Sequence, residues 1–426
     1  MKASSATRGW IVTAAGLGIN LALGVLYAWS VIAKVLKAPV TDGGWGWSAG
    51  EASLPYAVAV GVFALSMVFA GRAQDRMGPR IVATLGGALT GGGMLVAGLG
   101  TPERSWPVLL GFGVMAGTGI GLGYAAATPA AVKWFGPERK GLITGLVVSG
   151  FGLASVYIAP LTQWLLGAHG VAATFRILGG AFLVATTALA QLLVNPPAGH
   201  VPAGAAPQAA ADAAPPRVEY DWRDMLRTKQ FALLWLMYAC SAFAGLMIIG
   251  HMATIAALQM PDLTLGFLLV AVLAVGNALG RVVAGVVSDR IGGIRTMLMV
   301  FVLQAAMMGL LFVAGTPGLL VPVAALVGFA YGANLSLFPS TTAGYFGTRH
   351  LGVNYGLVFT AWGVGGVFGS MTAGSIVDST GSYALAYTAA AVLCLVAAGL
   401  TFVTRPPTPG EVVGAGSRRA EERRAA

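Results

Sequence analysis

The sequence predicts an all-α membrane protein, with twelve transmembrane helices in two six-helix, pseudo-symmetric halves. Three observations carry that expectation: composition, the lengths of the apolar runs, and an internal repeat. Of 426 residues, 57% are hydrophobic and 9% charged, where a soluble domain carries about 25% charged residues. The 62 glycines are about double the usual share, as close packing of helices in lipid favours.

A bilayer crossing takes about 20 predominantly apolar residues. Runs of that kind fall at 10–35, 51–71, 80–100, 106–132, 140–166, 172–194, 230–256, 263–288, 295–315, 318–345, 351–377 and 383–404. The first is too long and continuous for a cleavable signal peptide. With the N-terminus inside, only Lys34, Lys37, Arg104 and Arg176 of the 25 Lys and Arg fall outside, and Arg281 lies within the membrane. The other twenty are cytoplasmic, so positive-inside bias sets the orientation, with both termini in the cytoplasm. The net charge of +10 is therefore topological, and nucleic acid is not an expected partner. The expected division is a first bundle over 1–194, a cytoplasmic linker over 195–228, a second bundle over 229–404 and a cytoplasmic tail over 405–426. The linker is rich in Pro and Ala and ends in the charged run RVEYDWRD, as a flexible connection does.

In chain order, the first span places Asn20, Gly24, Tyr27 and Val31 on one helical face. Trp45 and Trp47 follow as interface anchors. The fourth span carries Gly117, Gly119, Gly121 and Gly123 inside an apolar helix, where glycines serve close helix contact rather than a nucleotide loop, and Tyr124 follows. The tenth supplies Tyr331 and Asn334. A buried tyrosine hydroxyl needs a partner, so each tyrosine is either a packing tie or a substrate donor. His251, near the outer end of its span with no acidic neighbour, reads as structural. Cys240 and Cys394 are lone cysteines in apolar spans. They have no metal spacing, and no cofactor is expected.

The repeat joins GRAQDRMGPR after the second span to GVVSDRIGGIR after the eighth. Gly71, Asp75, Arg76 and Gly78 match Gly285, Asp289, Arg290 and Gly292 at a constant offset of 214. A second echo, at offset 211, relates Trp134-Phe135-Gly136, Gly141 and Gly145 to Tyr345-Phe346-Gly347, Gly352 and Gly356. Two six-helix halves related by a repeat are a common transporter plan.

Arg281 stands out within this frame. An arginine inside a span costs roughly 2.5–3.5 kcal/mol on insertion scales and marks a pathway or ligand by default. Snorkelling towards the helix end is the alternative. The repeat argues against it, because the equivalent position in the first half is Met67, and Asn277 corresponds to Phe63. No central acid offers itself as a partner, so the cation invites an anion from solution. Its planar fork matches a carboxylate in bidentate geometry. The spans hold no catalytic set, so an enzyme is not expected.

The paired GxxxDRxGxR-type loops resemble the signature loops of the major facilitator superfamily. NLALGVLYAWSV in the first span, WFGPERKG after the fourth and NYGLVFTAWGVGG in the eleventh resemble its oxalate–formate antiporter and monocarboxylate transporter branch. The likeness covers all twelve spans, and the chain is similar to bacterial proton-coupled L-lactate carriers of that branch. It implies a major facilitator fold and alternating access in the inner membrane of a bacterium, as a monomer that takes a short monocarboxylate with a proton. The family's carboxylate-binding arginine falls on Arg281. Asn277 would orient it, Tyr331, Asn334 and Tyr124 would meet the substrate hydroxyl, and Phe359 and Trp362 would wall the apolar side, with Tyr27 and Asn20 also in the site. Asp75 and Asp289, with the neighbouring Arg76 and Arg290, would latch the cytoplasmic face, each carboxylate capping a helix or pairing with arginine across the seam. Three departures stand out: Asn277 replaces an aspartate of animal carriers, Val31 a lysine, and Trp362 the second cation of oxalate exchangers. The alternatives are an oxalate or formate exchanger, or a carboxylate sensor that does not transport.

Overall fold

A computed structural model describes residues 5–197, 200, 219–259 and 266–407. Eleven segments among them are long and apolar enough to cross a membrane. One, the helical stretch Lys140–Ala190 of 51 residues, turns back at Gly170 (φ 75, ψ 178). Fifty-one helical residues would run about 75 Å, more than twice a bilayer core of about 30 Å. The two limbs are therefore separate crossings, and the described chain makes twelve.

The crossings are α1 (Ser5–Leu23, continued by a 3-10 turn Gly24–Ala28 and by Trp29–Lys37), α2 (Ala49–Met77), α3 (Pro79–Ala97) and α4 (Gly117–Val132, preceded by the π-helical Leu109–Ala116). The limbs on either side of Gly170 are α5 (140–169) and α6 (171–190). The second half comprises α7 (Lys229–Gln259), α8 (Gly266–Ile291), α9 (Gly293–Leu311), α10 (Pro317–Phe346), α11 (Leu351–Thr380) and α12 (Ala384–Thr401). The boundaries follow local chemistry. Ser48 and Glu51 close a capping box at the start of α2. Pro79 opens α3 at a position where its missing N–H costs nothing.

The repeat is visible in the backbone. Gly78 and Gly292, 214 apart, both take positive φ (86° and 93°), and so do Gly170 and Gly381, 211 apart (75° and 67°). The fourth-span glycines make the close contacts expected of them. A Cβ on Gly119 would meet Gly86 O of α3 at 2.5 Å, and one on Gly121 would meet Phe63 O of α2 at 3.0 Å. Large apolar side chains such as Phe69, Val184 and Met371 are exposed around the outside, as a lipid-facing surface requires.

Of the expected linker, the stretch 219–221 packs against the second half. Tyr220 N donates to Phe346 O (3.0 Å), Asn354 Nδ2 donates to Tyr220 O (3.0 Å), and the Glu219 carboxylate accepts from the N–H groups of Thr348 and Arg349. A short helix, Trp222–Leu226, capped by Asp221, follows. Residues 201–218 of the linker and 408–426 of the tail lie outside the described residues.

The end of the molecule carrying Arg72, Arg76, Arg80, Arg290 and Arg295 is called the basic end. There α2 meets α11 and α5 meets α8 through glycines. A Cβ on Gly71 would lie 2.0 Å from Gly352 O, and one on Gly285 would lie 2.2 Å from Gly141 O. These two seams join the halves.

Candidate functional site

Arg281 lies on α8 where α8 faces α5, and it is wholly buried. Gly145 and Gly152 make room for it on α5. A Cβ on Gly145 would stand 2.3 Å from Arg281 O, and one on Gly152 would stand 3.1 Å from Arg281 Nε. Nε donates to Asn277 Oδ1 one helical turn earlier (2.9 Å), and Nη1 donates to the Val148 carbonyl of α5. Nη2 is buried with no hydrogen-bond partner. The ion pair found among the described residues is elsewhere, between Lys133 and Asp75. An uncompensated buried cation typically costs several kcal/mol. A carboxylate arriving at Nη2 would supply both the missing charge and the missing acceptor.

Aromatic rings pack against one another beside it, around the candidate binding chamber. Phe359 and Trp362 of α11 stack at 4.9 Å and 20°. Phe63 of α2 contacts both, at 5.3 and 5.6 Å, and also Tyr124 at 5.6 Å and Phe151 at 6.1 Å. Tyr27 packs edge-on against Phe151 at 5.6 Å. Trp362 Nε1 donates to Tyr331 OH (2.9 Å). That leaves the Tyr331 hydroxyl proton free to donate, since a phenol both accepts and donates. The Tyr331 ring fits because residue 245 on α7 is glycine, whose Cβ would lie 2.4 Å from the ring. Tyr124, Tyr238 and Tyr331 all lie within electrostatic range of the guanidinium. The chamber thus has one cationic pole and an otherwise aromatic wall.

The residues singled out from sequence divide into two groups. Arg281, Asn277, Tyr331, Tyr124, Phe359 and Trp362 gather around this chamber, with Tyr27 at its partly exposed margin. Asn20 instead ties α1 to α5 by donating to Val147 O (2.9 Å), one residue before the carbonyl that holds Arg281. Asn334 is buried and donates to Ala330 O of its own helix (3.1 Å). The Trp362 N–H is taken by Tyr331. His251 contacts Tyr383 OH (2.8 Å) and Ser370 O (3.2 Å), a tie between helices. Sequence reasoning missed Phe63, Phe151, Tyr238 and Tyr355. Tyr355, Phe359 and Trp362 are spaced by four and three on α11, so helical periodicity placed Tyr355 on the chamber face. Tyr238 carried no comparable sign.

At the basic end the two repeated aspartates act alike. Asp289, at the end of α8, accepts from Gly141 N (2.7 Å) and Leu142 N (2.8 Å) at the start of α5. Asp75, at the end of α2, accepts from Val353 N (3.1 Å) at the start of α11. Each carboxylate sits on the positive N-terminus of a helix in the opposite half. The neighbouring arginines do not pair with them. Arg76 and Arg290 are exposed, and the partner of Asp75 is Lys133, at 3.8 Å. Burial pushes the Lys133 ammonium below its ordinary pKa, and Asp75 pulls it back up. Backbone amides, preformed on a helix end, hold both oxygens of Asp289 and one of Asp75, whose other oxygen faces Lys133, and the arginines are left to water. A cleft of 1120 Å³ also opens at this end, lined by Lys140, Asp289, Arg295, Tyr345 and Arg405 among others. It includes none of the chamber residues.

Among the described residues, two repeated helical halves enclose a wholly buried guanidinium with an unpartnered nitrogen, an arrangement that suits a carrier. The profile of the Major Facilitator Superfamily matches residues 8–266 and 234–424, and the chain belongs to that family. It is 30% identical to an uncharacterized MFS-type transporter, YhjX, of Escherichia coli, over 84% of this chain and 86% of that one. It is 29% identical to the oxalate:formate antiporter of Oxalobacter formigenes, over 84% and 82%. It is 28% identical to monocarboxylate transporter 13 of Bos taurus, over 93% and 89%. The protein is an integral membrane transporter of that superfamily, similar to carriers named for oxalate and monocarboxylates, and not an enzyme.

Proposed function

We propose that the protein moves short monocarboxylates, foremost L-lactate and pyruvate-like acids, together with a proton, by alternating access. It acts as a monomer in the inner membrane of a bacterium. The basic end faces the cytoplasm on the positive-inside argument, twenty basic residues against four. One observation carries the reading: Arg281 is wholly buried with Nη2 unpartnered, beside a wall of Phe63, Phe359 and Trp362. One cation suits one carboxylate, and the aromatic wall suits a methyl group. Asn277 holds Nε and so fixes the plane of the fork, while the free Tyr331 proton suits a carboxylate oxygen or the 2-hydroxyl of lactate. The twin seams at Asp75 and Asp289 close the cytoplasmic face while the other face admits substrate, and must part for release.

Position 277 is asparagine, so proton coupling would not rest on a carboxylate beside Arg281. Either a terminal acid such as Asp289 carries the proton, or the acid enters protonated and ionises against Arg281. Both routes make uptake rise as external pH falls. Purified protein in liposomes, with labelled L-lactate outside, an imposed pH gradient and the membrane potential clamped, tests the reading. Wild type should accumulate lactate, and Arg281→Ala should not. Arg281→Lys should lose most activity, because a point charge lacks the bidentate fork. Full uptake by a well-folded Arg281→Ala protein would remove Arg281 from the site. The 29% identity to an oxalate:formate antiporter favours one other reading, obligatory exchange. Exchange would give counterflow that ignores the pH gradient.

A further inference from the structure

The cleft at the basic end contains none of the chamber residues, and it is lined for a purpose of its own. It lies between the α8–α9 turn, the last turns of α10, the chain beyond α12 and linker residues 219 and 220. There α9 begins at Gly293 with no side-chain cap and no acid in its first turn. The first amides and the positive end of a 19-residue helix are therefore uncompensated. Thr341 of α10 lines the same cleft, is 5% exposed, and has an Oγ1 without a hydrogen-bond partner. That hydroxyl is aimed at the helix end, because a Cβ on Gly293 would lie 2.5 Å from Oγ1. Tyr345, one turn further along α10, adds a second buried hydroxyl without a partner. Arg295 and Arg405 are exposed at the cleft, and Lys140 reaches it from α5, donating to Ala343 O (3.3 Å). Asp289 and Glu219 also line it, but each carboxylate is already held by two backbone amides.

The repeat supplies a control. Offset 214 places Pro79 where the second half has Gly293. Offset 211 places Ala130 at Thr341, Trp134 at Tyr345 and Val194 at Arg405. Proline has no N–H, alanine has no hydroxyl, and valine has no charge. In the first half the chain closes on itself at this place. Trp134 Nε1 donates to Val194 O (2.8 Å), and the His200 ring packs on Trp134 at 5.1 Å. The fold therefore does not require these donors, and only the second half gathers them around an open cleft.

We propose that this cleft binds a phosphate group presented from the cytoplasmic side. The first amides of α9 and Thr341 Oγ1 take its oxygens, and Arg295 and Arg405 balance its charge, as helix N-termini and arginines do for phosphates. A tetrahedral anion suits donors that converge from two helices and the chain beyond a third better than a planar carboxylate does. The group has two possible sources, soluble phosphate and the headgroup of an anionic phospholipid. A volume of 1120 Å³ admits either, and Phe402, 72% exposed at the cleft, would meet acyl chains in the second case. The site is independent of Arg281 and of what the carrier moves.

The test uses the full chain, stripped of lipid in detergent, with two probes. Inorganic phosphate is titrated by calorimetry, and phosphatidylglycerol is titrated by native mass spectrometry. The double variant Gly293→Pro, Thr341→Ala copies the first half, where the same residues support the same turn, and Thr341→Val serves as a second variant of unchanged shape. We expect wild type to bind at least one probe, and the double variant to bind it roughly tenfold or more weakly, the cost of losing hydrogen bonds to a charged group. Thr341→Val and Arg295→Gln should each weaken it severalfold, and Arg281→Ala should bind as wild type does. Binding of phosphate alone assigns the soluble source, binding of the lipid alone assigns the headgroup, and mutual competition assigns one site to both. If wild type binds neither probe, or if a folded double variant or Thr341→Val binds as tightly as wild type, the site is overturned.

Discussion

The glycine seams allow a prediction whose size comes from the structure. At Gly285 an added Cβ would lie 2.2 Å from Gly141 O and 2.7 Å from Gly141 C. Ordinary contact begins near 3.4 Å, so the overlap exceeds an ångström, and the obstacle is backbone rather than a side chain that could rotate. Asp289 pins the same place through its bonds to Gly141 N and Leu142 N, so the helices cannot slide apart cheaply. Overpacking of this kind costs about 1–3 kcal/mol. The cost falls only on the conformation in which the basic end is closed. Gly285→Ala should therefore shift the balance towards an open basic end by roughly 5- to 150-fold. Gly71→Ala, whose Cβ would lie 2.0 Å from Gly352 O, should act in the same direction, because the second seam repeats the first. Gly92→Ala meets nothing within 4 Å and should be silent.

The assay is a distance distribution between spin labels at Arg139 and Arg349, both exposed at the basic end on opposite halves, in detergent and in nanodiscs. The long-distance population should grow in both seam variants and stay put in Gly92→Ala. Binding measured at the opposite face should weaken by the same factor as the population shifts, since the accepting state is depleted. If Gly285→Ala is folded and its distribution matches wild type, the seam does not separate during transport, and the gating argument fails.

Three further predictions follow from the same contacts. Asp289→Asn removes the charge that binds the α5 N-terminus; it should move the spin-label distribution as Gly285→Ala does and slow turnover, while lactate affinity of the exposed site stays within about threefold. Gly152→Ala would place a Cβ 3.1 Å from Arg281 Nε and push the guanidinium aside by a few tenths of an ångström, so titration calorimetry should show weaker lactate binding with the charge still present. Trp362→Lys removes both the stack on Phe359 and the bond to Tyr331; it should weaken lactate transport and gain oxalate binding, since a second cation can compensate a second carboxylate. Wild type competing as well with oxalate as with lactate would defeat the one-cation argument.

Much of the fold was legible because lipid imposes its rules on the sequence. Apolar runs of fixed length gave the crossings, and the offset of 214 between the aspartate loops gave the two halves. Arg281 was legible for the same reason: an arginine inside a span costs roughly 2.5–3.5 kcal/mol, and the repeat, with Met67 at the equivalent position, argues against snorkelling. Its companions were less so. The acceptor of Nη1 is the Val148 carbonyl, and a backbone acceptor leaves no mark in a sequence. Of the two partners open to the repeated aspartates, a helix end or an arginine, the sequence could not choose, because adjacency in DR suggests an ion pair while Arg76 and Arg290 are exposed. What Asp75 and Asp289 found instead were amide groups more than 140 residues away in the chain. Tyr238 stacks on Phe338 at 4.0 Å, which makes it indistinguishable from core in the sequence.

The repeat also explains how the proposed site tells the two ends of a small acid apart. At the gates the halves are copies: each contributes an aspartate to the other's helix, so the seams are related by the same pseudo-symmetry and part as one event. In the chamber they are not copies. Arg281 and Asn277 of α8 correspond to Met67 and Phe63 of α2. Met67 is buried in the seam, with its carbonyl against Gly356, while Phe63 faces Phe359 and Trp362. The position that orients the cation in one half thus supplies apolar wall in the other. A substrate with one charged end and one methyl end would bridge the halves, carboxylate to α8 and methyl towards α2. Opening either face would then break the weak, apolar contact first and leave the charged one to be handed on. An acid charged at both ends would have no such asymmetry to exploit, because its second carboxylate would meet Phe63 rather than a cation, and burying that charge unpaired costs several kcal/mol. On this argument selectivity resides in the first half, which carries no charge in the chamber at all. Phe63→Asn should relax selectivity between lactate and oxalate without touching Arg281, and unchanged selectivity in a folded Phe63→Asn protein would show that the first half reads nothing.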